Sequence, residues 1–473
     1  MAADKNDFEE TLARILQARI PGCKALVKVD RLSGGASQET YRIVINTAAG
    51  EQLLAMRRAP GGIKTEPVPG HPGLDVEALL MRSARDVGVP EPQVYHVLQD
   101  DDGLGEGFIM EWLEGEALGA RIARAPAFAK LRPRLAYECG KLMAKIHSVD
   151  LDATGLRQRL FEISPREFVE QSWERYQLLE TPQPMIDYTA RWLLEHLPEV
   201  PQMRLVHNDF RNGNFLVNEQ EIVAVLDWEI AHIGDPMRDL GWICVNSWRF
   251  GADQPVGGFG SYEDLFRGYE EVSGQPVDAE RVKFWEVFGS FWWSVGCLGM
   301  AEHYRSGPDK TVERPTIGRR TSECQVDCVN LLIPGKVTPV PGKTTDQGID
   351  MPRADELLTA VRDFLRDDVM AATSGRVNFL ARVAGNAVDI VMREWQLGAA
   401  ARALELAKLR VLYPAAGADA SLEDLRWQLT RALRDGSQAL DDAALQDYLR
   451  HAVVNQIAID QPRYSGFKTA TGQ

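Results

Sequence analysis

Positive charge is the first thing this sequence has too little of. Lys and Arg together number 53 against 68 Asp and Glu, for a net charge of −15. That balance argues against nucleic acid or an anionic membrane as the main partner. It gives only a weak preference for a cationic substrate. Cysteine is also scarce: Cys23, Cys139, Cys244, Cys297, Cys324 and Cys328 are scattered, and no CxxC occurs. Cys324 and Cys328 stand one helical turn apart but have no nearby His to complete a zinc set, so reduced, partly buried thiols are expected. Long hydrophobic runs are missing too. The most apolar stretch, FWEVFGSFWWSVGCLGM (284–300), is too short to cross a bilayer comfortably and contains Glu286. It reads as a buried helix. The opening MAADKNDFEE is acidic and polar, unlike a signal peptide, so the expected location is cytoplasmic, without a membrane partner. There is no strong internal repeat, and the small-residue loop SGGAS (33–37) lacks the GK[ST] of a Walker A loop.

What is present is organised in three parts. At 473 residues the chain is too long for one ordinary core. Residues 8–19 carry Phe8, Leu12, Ile15 and Leu16 on one helical face. Strand-like runs follow at 25–29, 40–45 and 52–57, the last two joined by the turn NTAAG, then at 93–97 and 107–112. A helical pattern at 75–87 interrupts them. Residues 1–112 therefore read as a mostly antiparallel sheet with helices, and 113–335 as a mainly helical region, with helices near 133–148, 165–179 and 185–196. KVTPVPGKTTDQG is aperiodic, and 336–350 reads as a linker. Residues 351–465 carry helical spacing in successive segments, 377–395 and 401–409 among them, with Ser421 and Asp424 placed as a capping box. The tail beyond about 462 is expected to fray. The fold class is α+β followed by an all-α domain.

The chemistry concentrates in HNDFRNGNF (207–215), between two short apolar runs. An Asx-rich turn would use the same residues. Asp227, however, closes the apolar run IVAVLDW, which places a carboxylate at a strand tip beside that loop. Asn214 and Asp227 are hard oxygen ligands of the kind that hold Mg²⁺ together with phosphates and water. Asp209 is left to accept a hydrogen bond from an alcohol and orient it for attack. Asp235 and Pro236 have the plain meaning of an N-cap and first helical residue, with Asp239 one turn further in. His207 reads as a brace for the loop. Gly34, Gly35 and Ser37, in SGGAS, are small enough to admit a phosphate to the backbone, though a flexible hairpin loop would look the same.

The pattern H-x-D-x-x-x-x-N, followed 13 residues later by Asp and then by GDPMRDL, resembles the aminoglycoside phosphotransferase (choline kinase-like) family, a small-molecule branch of the protein-kinase-like fold. The resemblance runs from about residue 25 to 330. It implies a bilobal fold, ATP and Mg²⁺ as cofactors, Asp209 as catalytic base, and Asn214 and Asp227 as metal ligands. It makes 33–37 a nucleotide-covering loop and Glu111 with Trp112 the hinge facing the adenine edge. On the next strand the family usually carries Lys. Strand alternation puts Leu53, Ala55 and Arg57 on one face, so the aligned cation here is Arg57, with Arg58 pointing the other way. Arg grips phosphate differently from Lys. Glu77 is the implied ion-pair partner, and a solvated Glu is its alternative.

The acceptor is less marked. Trp285, Trp292 and Trp293 would line an acceptor site with an apolar wall, or simply pack a core. The kinase-like part is most similar to the phosphotransferase domains of acyl-CoA dehydrogenase family 10 and 11 proteins, which implies a hydroxyacyl acceptor, free or as its CoA thioester. Aminoglycoside or choline-type acceptors are the alternative small molecules. A nucleotide-binding pseudokinase is a further reading, supported only by Arg57. The helical domain resembles an uncharacterised domain found after such kinases, and packing, homo-oligomer formation or acceptor binding would each suit it.

Overall fold

The computed structural model describes residues 2–32, 38–63, 70–342, 352–417 and 419–473, with side chains from residue 7 onward. Packing divides the chain into two compact units: 1–164, 199–244 and 248–282 in the first; 165–198, 245–247 and 283–473 in the second.

The first unit opens with helix α1 (Ala2–Arg19) and a five-stranded antiparallel sheet. Its strands are β1 (Ala25–Arg31), β2 (Glu39–Thr47), β3 (Gly50–Arg58), β4 (Val94–Val97) and β5 (Gly107–Glu111), in the spatial order β1-β2-β3-β5-β4. The hairpin between β2 and β3 pairs Thr47 with Gly50 around a two-residue turn, and Gly50 has φ +114°. Period-two alternation decides which side chains go where. Tyr41, Ile43 and Ile45 of β2 and Leu54 and Met56 of β3 form one core with Leu12, Ile15, Leu16 and Ile20 of α1. Arg58 follows the same face and lies with its guanidinium 5.2 Å from the Phe8 ring. Arg57 is thereby turned to the opposite face, where helix α2 (Leu74–Asp86) runs.

Short strand pairs follow. β6 (Arg204–Val206) pairs with β9 (His232–Gly234), and β7 (Phe215–Val217) with β8 (Ile222–Val225). The strand expected to run to residue 228 stops at Val225. Beyond it the Leu226 amide turns to the Asn214 carbonyl at 2.8 Å, and Asp227 takes φ +70°.

The second unit is helical. Residues 279–306 form one helix, Ala279–Ser306, in which Phe284, Trp285, Phe288 and Phe291 are buried. Trp285 packs against Phe168, Phe284 and Phe288, so it serves the core of this unit, while Trp292 and Trp293 are half-buried. The two segments 377–395 and 401–409 merge into a single 38-residue helix, Gly375–Leu412. Gly398 does not break it, because Ala399, Ala400, Ala401 and Ala403 strongly favour helix and carry it onward. Ser421 and Asp424 form the reciprocal capping box, with the Asp424 amide donating to Ser421 Oγ at 3.1 Å and the Ser421 amide to Asp424 Oδ2 at 3.0 Å.

The C-terminal helices do not keep a core to themselves. Leu409, Leu429, Leu433, Leu449, Val454 and Ile457 pack with Met185, Tyr188, Val326 and Val329. The division by packing therefore cuts the chain elsewhere than at 335 and 350, because helices Pro184–Glu195 and Thr321–Leu332 find their apolar partners after residue 400. The expected fraying of the tail is also corrected. Ser465–Thr471 is a helix with Phe467 and Ala470 buried, and the Ala470 carbonyl accepts from the Val337 amide at 2.9 Å.

All six cysteines are free, and burial pushes the Cys328 thiol up to about 12. Among the described residues no helix is long and apolar enough to cross a membrane. Truncating Phe467 to Ala should cost about 3 kcal/mol of stability through lost burial and the cavity left behind. Urea unfolding checks this; an unchanged midpoint would show that the terminal helix contributes nothing to the core.

Candidate active site

The loop between β6 and β7 is held from beneath by one carboxylate. Asp239, on helix Met237–Cys244, is fully buried and accepts the backbone amides of His207 at 2.9 Å and Asn208 at 2.7 Å, and His147 Nε2 at 3.0 Å. Burial alone would push this carboxyl up. The hydrogen bond and charge of His147, with His207, outweigh it and hold the group below its ordinary range. Asp239 therefore pins the loop backbone, which is more than a charge at a helix start. Asn208 has φ +68°, a left-handed conformation that Asn tolerates better than most residues. Its Oδ1 accepts from the buried Arg238 Nε at 3.0 Å.

His207 is the brace its position implied. Nε2 donates to the Leu226 carbonyl at 3.1 Å, and Nδ1 accepts from the Asp209 amide at 3.3 Å, an arrangement that assigns the single ring proton to Nε2. Burial lowers its pKa against the pull of Asp239, Asp209 and Asp227, which favours the neutral ring.

Asp209 emerges from this scaffold with both oxygens occupied. Oδ1 accepts from Trp242 Nε1 at 2.7 Å and from Arg211 Nε at 3.0 Å. Oδ2 accepts from Asn214 Nδ2 at 2.5 Å and from Arg211 Nη2 at 3.3 Å. Every one of these partners is a donor, as a carboxylate that only accepts requires. Arg211 in turn lies 4.3 Å from the centre of the Trp248 ring. With its amide nitrogen on Asp209, Asn214 turns its side-chain oxygen the other way. The Leu226 amide, donating to the Asn214 carbonyl, brings Asp227 alongside.

Asp227, in its left-handed conformation, accepts from Arg57 Nη2 at 3.3 Å. Arg57 Nη1 lies 2.6 Å from Glu77 Oε1, and Glu229 Oε2 is 3.9 Å from Nη2. Burial works against the Arg57 charge, but Glu77, then Asp227 and Glu229, outweigh it. Glu77 is fully buried, and desolvation pushes its carboxyl up to about 7 against the pull of Arg57. The structure thus brings together Arg57, Glu77, Asp209, Asn214 and Asp227. Two hard oxygen donors on adjacent backbone suit a small divalent cation completed by phosphate oxygens.

The remaining expected residues make contacts of their own or lie outside the described residues. The Glu111 amide donates to the Gln93 carbonyl at 2.8 Å, and its carboxylate accepts from the Gln93 amide at 3.2 Å. The Glu111 amide is therefore already engaged, which leaves less of the expected hinge edge for a base. Trp112 Nε1 donates to Glu114 at 2.6 Å, and its ring lies 5.5 Å from the Arg42 guanidinium. Gly34, Gly35 and Ser37 lie outside the described residues. Sequence reasoning missed Arg211 and Trp242, the two charge and hydrogen-bond partners of Asp209. Arg211 stands two residues from it in the quoted loop, and Trp242 lies three residues after Asp239, on the same face of a helix.

Comparison with known proteins bears on the family and the fold. Residues 28–275, just over half the chain, match the model of the phosphotransferase enzyme family (APH), and residues 371–464 match a domain of unknown function, DUF6285. The chain is 30% identical over 256 residues to mouse (Mus musculus) acyl-CoA dehydrogenase family member 10, covering 52% of this chain and 22% of that protein. It is 26% identical over 247 residues to chicken (Gallus gallus) acyl-CoA dehydrogenase family member 11, covering 50% and 30%. The match thus spans less than a third of either relative. A crystal structure of a candidate aminoglycoside phosphotransferase from Ralstonia eutropha JMP134 superposes with a TM-score of 0.56 at 24% identity, over 68% of this chain and 97% of that one. A five-stranded antiparallel sheet followed by helices is the kinase-like fold these proteins share. On the family match, supported by that fold, the chain belongs to the phosphotransferase enzyme family.

Proposed function

We propose that the protein transfers the γ-phosphoryl group of ATP, with Mg²⁺, to a hydroxyl of a small molecule. The observation that carries this reading is Asp209, held by Arg211, Trp242 and Asn214 next to the Arg57–Asp227 pair. Asp209 fixes the acceptor hydroxyl in line and takes its proton as the new P–O bond forms and the bond from the γ-phosphorus to the bridging oxygen breaks, releasing ADP. Arg57, anchored by Glu77, grips the nucleotide phosphates once its second arm leaves Asp227. Asn214 and Asp227 would hold the metal, which would supply neutralisation of phosphate charge. Arg211 places a fixed positive charge beside the reacting oxygen.

The acceptor in this reading is a hydroxyacyl compound or its CoA thioester. Support comes from the surroundings of Asp209: two indoles, Trp242 and Trp248, and one guanidinium. The guanidinium suits an acceptor with an anionic group better than a polycationic sugar, while the indoles, buried, back it from within. The names of the acyl-CoA dehydrogenase relatives point the same way.

Asp209→Ala should lower turnover by about a thousandfold, the scale of a lost general base, while Mg–ATP binding stays within a few-fold. Single-turnover assay with calorimetry separates the two; wild-type turnover in the variant would remove Asp209 from the role. Asp227→Asn should weaken Mg²⁺ affinity, and chelation by EDTA should stop transfer reversibly. Transfer that persists in EDTA would contradict a metal-dependent reaction. Arg57→Lys should retain transfer, since Lys can still reach Glu77, whereas Arg57→Met should lose nucleotide affinity. Equal binding by wild type and Arg57→Met would show that Arg57 does not hold phosphate.

A further inference from the structure

Asp227 sits in a backbone conformation that an L-residue rarely adopts, with φ +70°. Something must hold it there, and the bonds around it can be followed one by one. On the N-terminal side the Val225 amide donates to the Pro90 carbonyl at 2.9 Å. Leu226 is fixed twice, through its amide to Asn214 and through its carbonyl to His207. On the C-terminal side the indole of Trp228, fully buried and 4.5 Å from the His207 ring, donates from Nε1 to Glu91 Oε1 at 3.1 Å. Pro90 and Glu91 thus grip the segment on both sides of Asp227.

Glu91 is a costly choice for that place. Only 2% of it is exposed, and among the described residues its second oxygen, Oε2, is buried without a hydrogen-bond partner. Burial pushes its carboxyl well above the ordinary range, against the pull of the Trp228 hydrogen bond and with Glu77 adding to the shift. An apolar side chain would fill the space without burying an unmet carboxyl oxygen. The feature an apolar residue lacks is an acceptor for the indole N–H.

We propose that Glu91 is a positioning residue that sets the metal-binding conformation of Asp227 by anchoring Trp228. This rests on the phosphotransferase reading, in which Asp227 is a metal ligand. Buried as it is, Glu91 acts through the indole. Outer partners of this kind tune how well a ligand residue meets its metal.

The test is calorimetric titration of the full chain with a non-hydrolysable ATP analogue, with and without Mg²⁺. Glu91→Met and Trp228→Phe should each weaken binding of the Mg²⁺ complex about tenfold, the low end for lost outer-sphere support, and leave metal-free nucleotide binding unchanged. Glu91→Gln, which keeps an acceptor oxygen, should stay within about twofold of wild type. The double variant Glu91→Met/Trp228→Phe should be no weaker than either single one, because both remove the same bond. Should Glu91→Met fail to fold, Trp228→Phe measures that bond from its other end. Wild-type Mg²⁺-complex affinity in the folded single variants, equal losses with and without Mg²⁺, or additive losses in the double variant would overturn the role of Glu91. Failure of the wild-type chain to bind any adenine nucleotide is a different result: it would overturn the phosphotransferase reading underneath.

Discussion

One buried carboxylate sets the geometry of the site. Asp239 takes the amides of His207 and Asn208 and one nitrogen of His147, so the loop 207–214 leaves β6 in a fixed direction. Without it two backbone N–H groups would be buried and unpaired, each at a cost of about 1–3 kcal/mol. Because that backbone is pinned, His207 can spend both ring nitrogens on its neighbours, Leu226 and Asp209. Loop 207–214 and the segment 225–228 are thereby tied to each other. Asp209 and Asp227, 18 positions apart in the sequence, inherit a common frame.

The charges in that frame are balanced locally. Asp209 is matched by Arg211, and Asp227 by Arg57, which Glu77 anchors from α2. The two carboxylates that would work on substrate and metal are therefore paired with cations that phosphate would also attract. Left-handed backbone at Asn208 and Asp227 falls in this same region. Strain held by surrounding bonds is common where a side chain must be aimed rather than merely packed.

Much of this was legible in the sequence because its signals are local. The H-x-D-x-x-x-x-N spacing places Asp209 and Asn214 on one loop, and their 2.5 Å contact follows from it. Strand alternation assigns Arg57 and Arg58 to opposite faces, and the sheet places them so. Interactions that cross the chain left weaker traces. Asp239 looks like a residue near a helix start, and only the fold brings it under residues 31 and 32 positions earlier. Trp242 reaches Asp209 over 33 positions, and Glu91 meets Trp228 over 137. The linear cut near 336–350 is likewise a reading of composition, whereas cores form between whichever apolar faces meet. Met185 and Phe467 share one although 282 positions separate them.

On the proposed function, this arrangement moves a phosphoryl group from ATP to an alcohol. The most direct measurement is ³¹P NMR of ATP, Mg²⁺ and the protein with a panel of hydroxyacyl-CoA thioesters. The expected result is that the γ-phosphate signal declines as ADP and a new phosphomonoester resonance appear together. Persistence of ATP with every acceptor, or its conversion to ADP and inorganic phosphate alone, would contradict it.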